Sequence, residues 1–207
     1  MANGQTWRKR LLPIAAMTLT TIIVTGIIVI CWWHSTTVVL VIRHAETSSA
    51  VCEPEEVNRQ RNTALVFTEP MSPRPVSPRA QALRHTCEKA GIGAIYASEL
   101  CRTQETVRPL SERLSIPFTE IPQHTAEGIV NVDALIARIN DEHTGQVVLI
   151  AGHSHTIPTI IEKLGGGDIG SIDGSEFDNL FVVTITRYLL LGNRAKVVRL
   201  QYGAPSP

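Results

Sequence analysis

Two continuous apolar runs rich in β-branched residues constrain the fold of this 207-residue chain more than any other feature. Residues 37–42 read Thr-Val-Val-Leu-Val-Ile, and residues 146–150 read Gln-Val-Val-Leu-Ile. Such runs, which lack polar alternation, are typical of strands that are buried on both faces of a sheet. Strands of this kind need helices packed on either side, so the chain is expected to adopt an α/β fold.

Amphipathic segments and shorter strands separate and follow these two runs. Helical spacing predicts helices within residues 78–90, 99–114, 132–139 and 157–164. Pro109 is expected to kink or divide the second helix, because proline cannot donate a helical hydrogen bond. Further strands are predicted at residues 94–97, 118–121, 180–186 and 195–200. Strands that alternate with helices predict a three-layer α/β/α fold around a mostly parallel central sheet.

The N-terminal part of the chain differs from the rest. Residues 8–10 are basic, and residues 11–33 contain no charged side chain and end in two tryptophans. About 20 predominantly apolar residues span a bilayer, and a basic flank stays on the cytoplasmic side. We therefore expect a cytoplasmic basic segment at residues 1–10, a single transmembrane signal anchor at residues 11–33, and a periplasmic or extracellular globular domain at residues 37–207.

Two other interpretations of residues 11–33 are a cleaved signal peptide and a buried helix of a soluble protein. A signal peptide has a shorter apolar region, about 7–15 residues, and a small-x-small cleavage site, which is not evident here. No charged residue interrupts the run, which disfavours a soluble helix. Residues 34–37 reach at most about 14 Å, so an anchor would hold the domain close to the membrane. The pocket at residue 44 is expected to open sideways or away from the lipid headgroups.

Three predicted strands deliver polar side chains at their carboxyl ends. Arg43 and His44 follow the first run, His153 follows the second, and Arg102 lies within one helical turn of residues 94–97. One such residue alone is usually a surface residue, but the carboxyl ends of parallel strands meet at one edge of the sheet, where ligands bind. Two guanidinium and two imidazole groups there suit a dianion such as phosphate. The hydroxyl groups expected at the same edge belong to Ser98 and Ser154.

Charge and cysteine content limit the partners of the chain. The formal net charge is zero, and no basic block suggests nucleic acid. The cysteines lack metal-site spacing, and no motif implies a metal or another cofactor. Cys52 and Cys101 flank segments that should converge, so they are the pair that a disulfide would join in an oxidising compartment. The expected partners are a small phosphorylated substrate and a membrane, and nothing in the sequence indicates an oligomeric state.

Three segments carry a resemblance to a known family. Residues 39–46 read Val-Leu-Val-Ile-Arg-His-Ala-Glu, residues 95–106 read Ile-Tyr-Ala-Ser-Glu-Leu-Cys-Arg-Thr-Gln-Glu-Thr, and residues 147–154 read Val-Val-Leu-Ile-Ala-Gly-His-Ser. They resemble, in order, the leading Arg-His-Gly/Ala motif, the second-arginine segment and the second-histidine segment of the histidine phosphatase superfamily. That superfamily includes phosphoglycerate mutases, acid phosphatases and protein phosphohistidine phosphatases. The resemblance covers roughly residues 37–186.

This resemblance implies a phosphoglycerate mutase-like fold and a phosphatase that hydrolyses a phosphomonoester. It implies that His44 attacks phosphorus and forms a phosphohistidine, which is covalent catalysis. Arg43, Arg102 and His153 would hold the non-bridging oxygens and stabilise charge in the transition state. A bound dianion would favour a protonated His153.

The proton donor for the leaving oxygen is where the chain departs from better-known members of the family. Many carry a Glu between the second arginine and the second histidine, and others carry an Asp directly after the second-histidine motif. Here residues 154–156 read Ser-His-Thr at that place. Glu127 is the first candidate donor by position and His155 the second, while Glu46 is expected to orient a neighbour. A missing acid would favour activated substrates such as phosphohistidine, acyl phosphates or phosphoanhydrides.

Three functions therefore stay open from the sequence. They are a phosphomonoester hydrolase, a phosphohistidine or pyrophosphate-type hydrolase without a strong general acid, and a non-catalytic phosphate-binding envelope protein on the same fold. A mutase is disfavoured, because the extra substrate-specific segments of mutases are not found. Residues 48–75 and 124–131 are expected to form the loops that select the substrate.

Overall fold

The computed structural model describes residues 21–28, 34–46, 76–189 and 191–206. Its strands are β1 (His34–Arg43), β2 (Ile92–Ala97), β3 (Phe118–Glu120), β4 (Val147–Gly152), β5 (Asn179–Tyr188) and β6 (Gly192–Gln201). They form one six-stranded sheet in the order β3-β2-β4-β1-β5-β6. The two continuous apolar runs lie in β4 and β1, and both strands therefore have neighbours on each side, as strands buried on both faces require.

The helices of this region are α1 (Pro78–Cys87), α2 (Cys101–Leu114), α3 (Asp133–Glu142) and α4 (Ile157–Ile161). Ser77 caps α1, because its side chain accepts a hydrogen bond from the Ala80 N–H at 3.1 Å. The sequence placed a helix at each of these positions, and the bounds differ by a few residues at the ends. Strands thus alternate with helices through most of the described chain, which confirms the α/β class.

The sheet is mixed, whereas the sequence predicted a mostly parallel one. β1 pairs with β4, β2 with β4 and β2 with β3 in parallel, and the register sets Arg43 beside Gly152. Only residues 189–191 connect β5 to β6, and a parallel pair needs a crossover of about a dozen residues or more. The neighbouring strands β5 and β6 are therefore antiparallel, and the long hairpin they form closes one side of the sheet.

Alternate residues of the central strands enter two separate apolar clusters, one on each face of the sheet. Val39 and Val41 pack with α3 and α4 residues such as Leu135 and Ile160. The intervening strand residues, including Leu40 and Ile42, pack in the second cluster with residues of α1 and α2 such as Leu83 and Leu110. Helices therefore cover both faces, and the architecture of the described domain is three-layered, as the sequence predicted.

Pro109 does not divide α2, which was one of the two effects, a kink or a division, that the sequence led us to expect. The helix continues from Cys101 to Leu114 with Pro109 inside it. Proline removes one hydrogen bond and costs about 3 kcal/mol in a helix interior. Val107 and Leu110 on either side of it are fully buried in the core, so burial of this helix face compensates for the lost hydrogen bond.

The helix after β4 is shorter than predicted. The α-helical part ends at Ile161, and a π-helical turn, Glu162–Gly166, follows it. Gly165 has φ 85°, and a Cβ atom on Gly166 would lie 2.5 Å from Val197 Cγ2. The glycine residues at the end of this helix therefore allow a left-handed residue and a close approach to a neighbouring strand.

The chain divides into two compact units. One comprises Thr36–Ile185 and Ala195–Pro207, and contains the layers described above. The other comprises Met1–Ser35 and Thr186–Arg194. In this second unit residues 21–28 are helical. Residues 11–20 and 29–33 of the predicted anchor lie outside the described residues. Among the helices that the structure describes, none is both long enough and apolar enough to cross a membrane.

Candidate active site

Arg43 ends β1, and its side chain is tied to the segment that precedes β5. Its Nη1 donates to the backbone carbonyl oxygens of Asp173 and Glu176, both at 2.9 Å. The guanidinium carbon lies 3.8 Å from the centre of the Phe177 ring, a cation–π contact. Arg43 is therefore fixed by carbonyl groups and an aromatic ring rather than by a carboxylate.

One polar atom of the Arg43 guanidinium is left without a protein partner. Nε is buried and has no hydrogen-bond partner among the described residues. Burial and the charge of Arg102 lower the pKa of Arg43, while the charges of Asp173, Glu176 and Glu46 raise it. A buried donor without a partner costs about 1–3 kcal/mol, and two cations that repel each other add to that cost. An anion bound at this place would relieve both.

His44 follows Arg43 directly and is 8% exposed. Its backbone N–H donates to the Gly152 carbonyl at 3.0 Å, and its Nδ1 lies 2.7 Å from the Ala45 carbonyl oxygen. A carbonyl only accepts, so Nδ1 carries the hydrogen and Nε2 keeps a free lone pair. Burial, together with the charges of Arg102 and Arg43, lowers the pKa of His44 to about 4, although the bond to Ala45 acts in the opposite direction. The ring is thus neutral at pH 7, and Nε2 is the nitrogen with the free lone pair.

His153 follows β4 and is 1% exposed. Its Nε2 lies 2.9 Å from Ser98 Oγ, and its Nδ1 lies 3.4 Å from both Nε and Nη2 of Arg102. Since a guanidinium only donates, Nδ1 is the unprotonated nitrogen and Nε2–H donates to Ser98. Burial, with Arg102 and His44, lowers the pKa of His153 to about 3. His153 is therefore neutral in the free protein, and protonation would require a bound anion.

Helix α2 holds Arg102 against this cluster. Thr106 Oγ1 donates to the Arg102 carbonyl at 2.7 Å and accepts from the Ala45 N–H at 2.8 Å, which links the helix to the residue after His44. The rings of His44 and His153 have their centres 5.3 Å apart. Neither Arg43 nor Arg102 forms an ion pair with a carboxylate in the described part of the chain. The strand ends thus bring together two uncompensated guanidinium groups and two neutral imidazoles.

Burial of His44 in its neutral form predicts that stability depends on pH. The free energy of unfolding should fall as the pH drops from about 6.5 to about 4, because in that interval the unfolded chain binds a proton at His44 that the folded chain rejects. The loss attributable to His44 alone is about 3 kcal/mol. Urea denaturation of the wild type at a series of pH values across this interval measures it.

Two variants isolate the contribution of His44 from that of the carboxyl groups, which also titrate there. His44→Gln should flatten the pH dependence by about the same amount, since its side chain does not titrate. His85→Gln is the matched control, because His85 is exposed on α1 and should leave the slope unchanged. An equal slope in wild type and His44→Gln would contradict the neutral, buried state of His44.

A buried network behind the site positions the backbone of His153. Thr156 Oγ1 accepts from the His153 N–H at 2.9 Å and donates to Gln123 Oε1 at 2.7 Å. Gln123 Nε2 in turn donates to the Ala151 carbonyl at 3.1 Å. A Cβ atom on Gly152 would lie 2.9 Å from both Gln123 Oε1 and Thr156 Oγ1. Only glycine at this position leaves room for the network.

Gly152→Ala should therefore weaken both the fold and the site. The added methyl group must displace Gln123 or Thr156, at a cost of about 1–3 kcal/mol in unfolding free energy. Denaturant titration measures that loss, and kcat should fall with it because His153 loses its backbone support. Gly174→Ala is the matched control, since nothing lies within 4 Å of a Cβ there and no positive φ is involved. Equal stability of the two variants would contradict the prediction.

The remaining predicted residues differ in their burial and in their hydrogen-bond or ion-pair partners. Ser98 is buried against His153, whereas Ser154 is half-buried in the turn that follows it. Glu127 lies on an exposed turn, and the hydrogen bond from Thr125 lowers its pKa, which keeps it ionised rather than ready to donate a proton. Glu46 pairs with the buried Arg79.

Several residues that complete the site were not singled out from the sequence. Glu99 and Thr106 stand inside the second-arginine segment, where their spacing was visible but their partners were not. His124 lies in a loop whose sequence has no recognisable pattern, and Phe177 had no signal at all. Glu99 forms a hydrogen bond with His124, and Thr106 forms one with the backbone N–H of Ala45. Phe177 makes a cation–π contact with Arg43.

Cys101 begins α2 and is disulfide-bonded. Cys52, the partner considered from the sequence, lies outside the described residues, as do residues 48–75 as a whole. Cys87 is a free, buried thiol on α1. Within the described ranges, no group of three or more His, Cys, Asp and Glu side chains is arranged to hold a metal ion.

Comparison with known proteins finds similarity in structure only. No family model matches the chain, and no curated protein matches it in sequence. Among solved structures, the alpha-ribazole phosphatase from Shigella flexneri is 18% identical with a TM-score of 0.49, and the match covers 79% of this chain and 96% of that one.

Two further structures are similar to this chain at a comparable level. The protein histidine phosphatase SixA complexed with tungstate is 14% identical with a TM-score of 0.48, and the match covers 79% of this chain and 96% of that one. The phosphoglycerate mutase from Plasmodium falciparum is 13% identical with a TM-score of 0.43, covering 84% of this chain and 94% of that one. These structure neighbours are histidine phosphatase superfamily members, and likeness at such identities concerns the fold alone.

Proposed function

We propose that this chain is a phosphatase that hydrolyses a phosphomonoester through a phosphohistidine intermediate on His44. The observation that carries the proposal is the cluster of Arg43, Arg102, His44 and His153. Within the described residues its two guanidinium groups have no carboxylate partner, and one imidazole presents a free Nε2. A dianionic phosphoryl group supplies the missing charge. The neutral imidazole supplies the electron pair for attack on phosphorus.

The first step transfers the phosphoryl group. Arg43 Nε and the guanidinium of Arg102 bind non-bridging oxygens and neutralise charge that spreads over them in the transition state. His44 Nε2 forms the N–P bond while the bond to the leaving oxygen breaks in line with it. The Nδ1–H bond to the Ala45 carbonyl holds the ring in the required tautomer and stabilises its positive charge.

The second step releases phosphate. Water attacks phosphorus in line with the N–P bond, and His44 leaves as the neutral imidazole that the buried site favours. His153 approaches the same phosphoryl group through Nδ1, which takes up a proton once the dianion offsets the charge of Arg102. The same four side chains therefore serve both steps, and no metal ion is required by this scheme.

A second candidate function is hydrolysis of activated phosphates, namely phosphohistidine, acyl phosphates or pyrophosphate-type bonds. It is favoured by the state of Glu127, which is exposed and has a lowered pKa. A leaving group that departs as a stable anion does not need a proton from the enzyme. Without another donor, the site would be restricted to such substrates.

Phosphate release by the purified full-length chain tests both candidates. Turnover of p-nitrophenyl phosphate and of unactivated phosphomonoesters supports the first function. Turnover of phosphohistidine and acyl phosphates alone supports the second. Absence of turnover on all of these substrates, with retained phosphate binding, would contradict both and favour a non-catalytic phosphate-binding protein.

We further propose that residues 11–33 anchor the chain in a membrane and that the globular domain lies on the periplasmic or extracellular side. The uncharged sequence of this segment supports it, as does the helical stretch at residues 21–28, whose apolar side chains are largely exposed. A disulfide at Cys101 suits an oxidising compartment. Alkaline carbonate extraction should leave the full chain with the membranes, and its release would contradict the anchor.

A further inference from the structure

A line of three side chains leads from the loop after β2 to the mouth of the site. Glu99 Oε1 lies 2.6 Å from His124 Nδ1, and His124 Nε2 lies 2.8 Å from His155 Nε2. The ring of His155 stacks on that of His153 with an interplanar angle of 16° and centres 5.5 Å apart. The line therefore ends directly against the cluster that would hold a phosphoryl group.

The hydrogen-bonding capacities of these groups fix where each proton lies. Glu99 is ionised, because hydrogen bonds from the Gln123 N–H and from His124 lower its pKa against the opposing effect of burial. Its oxygens only accept, so His124 Nδ1 carries a hydrogen and His124 Nε2 is the acceptor. His155 Nε2–H then donates to His124, and His155 Nδ1 is left with no hydrogen-bond partner among the described residues.

The carboxylate at the far end of the line is held rigidly. Glu99 Oε2 accepts from the Gln123 N–H at 2.9 Å, and the Gln123 side chain is 1% exposed and bonded to Ala151 and Thr156. The His124 side chain is 14% exposed. Glu99 and His124 thus have one arrangement, in which they hold the orientation of the more exposed His155.

His155 lies at the exposed rim of the site, where its ring stacks on that of His153. His44 is buried, and in-line transfer sends the leaving oxygen away from the attacking Nε2 and toward solvent. His155 is exposed at the rim, yet close enough to the site for the charges of Arg102 and Arg43 to act on its ring. A proton on its free Nδ1 is therefore positioned for an oxygen that leaves the phosphoryl group.

We propose that His155 is the proton donor for the leaving oxygen, with His124 and Glu99 as its positioning residues, and that the substrate class therefore includes alkyl phosphomonoesters. The inference rests on the proposed function, in which His44 is the nucleophile. As the N–P bond forms and the P–O bond breaks, the Nδ1 proton of the His155 imidazolium passes to the leaving oxygen and an alcohol departs. In the second step water gives a proton back to His155 Nδ1, attacks phosphorus and releases inorganic phosphate from His44.

Substrate binding supplies the charge that this step needs. In the free protein, burial and the charges of Arg102 and Arg43 disfavour a positive His155, and Glu99 opposes them. His153, which faces the other side of the ring, is neutral. A bound dianion offsets the two arginines, so His155 takes up its proton when a phosphate ester enters the site. The Glu99–His124 pair then stabilises the imidazolium from behind.

The dependence on the leaving group tests this assignment. Rates of the full-length wild type, His155→Ala and Glu99→Gln are measured on p-nitrophenyl phosphate, whose leaving group departs as a stable anion, and on glycerol phosphate, whose leaving group does not. His155→Ala should lose roughly 10²-fold in kcat/KM on glycerol phosphate but less than about threefold on p-nitrophenyl phosphate. Glu99→Gln should show the same selective loss, smaller in size. His85→Ala, an exposed histidine on α1, is the matched control and should change neither rate.

Four outcomes decide between the inference and its premise. Equal losses of His155→Ala on both substrates would mean a structural role and overturn the assignment. Turnover of p-nitrophenyl phosphate without any turnover of glycerol phosphate by the wild type would also overturn it, while leaving the proposed function intact. Failure of the wild type on both substrates would remove the proposed function itself. Restoration of glycerol phosphate turnover in His155→Gly by added imidazole would support proton donation.

Discussion

His44→Ala should reduce phosphate release from p-nitrophenyl phosphate by roughly 10³-fold or more, the largest effect expected of any single substitution in this chain. The variant lacks the imidazole Nε2, whose lone pair would attack phosphorus in the proposed mechanism, so no covalent intermediate should form. The substitution leaves Arg43, Arg102 and His153 in place. Substrate binding should therefore persist while turnover is lost.

Two measurements separate loss of the nucleophile from loss of the fold. The wild type should form an acid-labile, base-stable phosphoprotein when it is quenched during turnover, and His44→Ala should form none. Thermal unfolding of the variant should stay cooperative, because removing a buried neutral ring leaves a cavity of modest size. Activity within about tenfold of the wild type would contradict the role of His44.

Arg102→Ala should lower kcat by roughly 10²–10³-fold, because in the proposed mechanism the guanidinium stabilises charge that develops on the phosphoryl oxygens. Arg102→Lys should recover part of this loss, since lysine keeps the charge but not the forked geometry. Arg108→Ala is the matched control on the same helix, where Arg108 pairs with Glu105 at 3.0 Å on a half-exposed surface. It should leave kcat unchanged.

The same substitution has a second readout in the titration of His44. The charge of Arg102 is one cause of the lowered pKa of His44, so Arg102→Ala should raise that pKa. Proton NMR of the imidazole resonances across the acid range measures the shift, with Arg108→Ala as the reference. An unchanged pKa of His44 would contradict the close approach of the two side chains.

The strands and most helices of this protein were predictable because their signals are local. The β-branched runs in β1 and β4 and the apolar spacing in α3 reflect which face of each element is buried, and both patterns depend on neighbouring residues only. Pro109 shows the limit of this reasoning. The free-energy cost of a proline inside a helix follows from the sequence alone. The burial of Val107 and Leu110, which offsets that cost, depends on the rest of the fold.

The sheet edge that carries the site was also predictable, but the β5–β6 hairpin and the segment that precedes it were not. Three polar strand ends converge because β1, β2 and β4 are parallel, which follows from the alternation of strands and helices. The antiparallel hairpin of β5 and β6 does not follow the alternation of strands and helices, because no helix separates these two strands. Its pairing follows from a connection too short for a crossover, and the segment before it supplies the carbonyls that hold Arg43.

The sequence by itself determined that Arg43, His44, Arg102 and His153 belong to one edge of an α/β sheet, because strand direction and residue order suffice to place them there. Only the tertiary structure decided how they act. The partners of Arg43 lie 130 and 133 residues away, and His155 meets His124 across 31 residues. Hydrogen bonds of this kind depend on loop positions set by packing of the whole domain, and they fix the tautomer of each imidazole. That is why the sequence left Glu127 and His155 as alternative proton donors, and the hydrogen bonds of the structure were needed to propose His155.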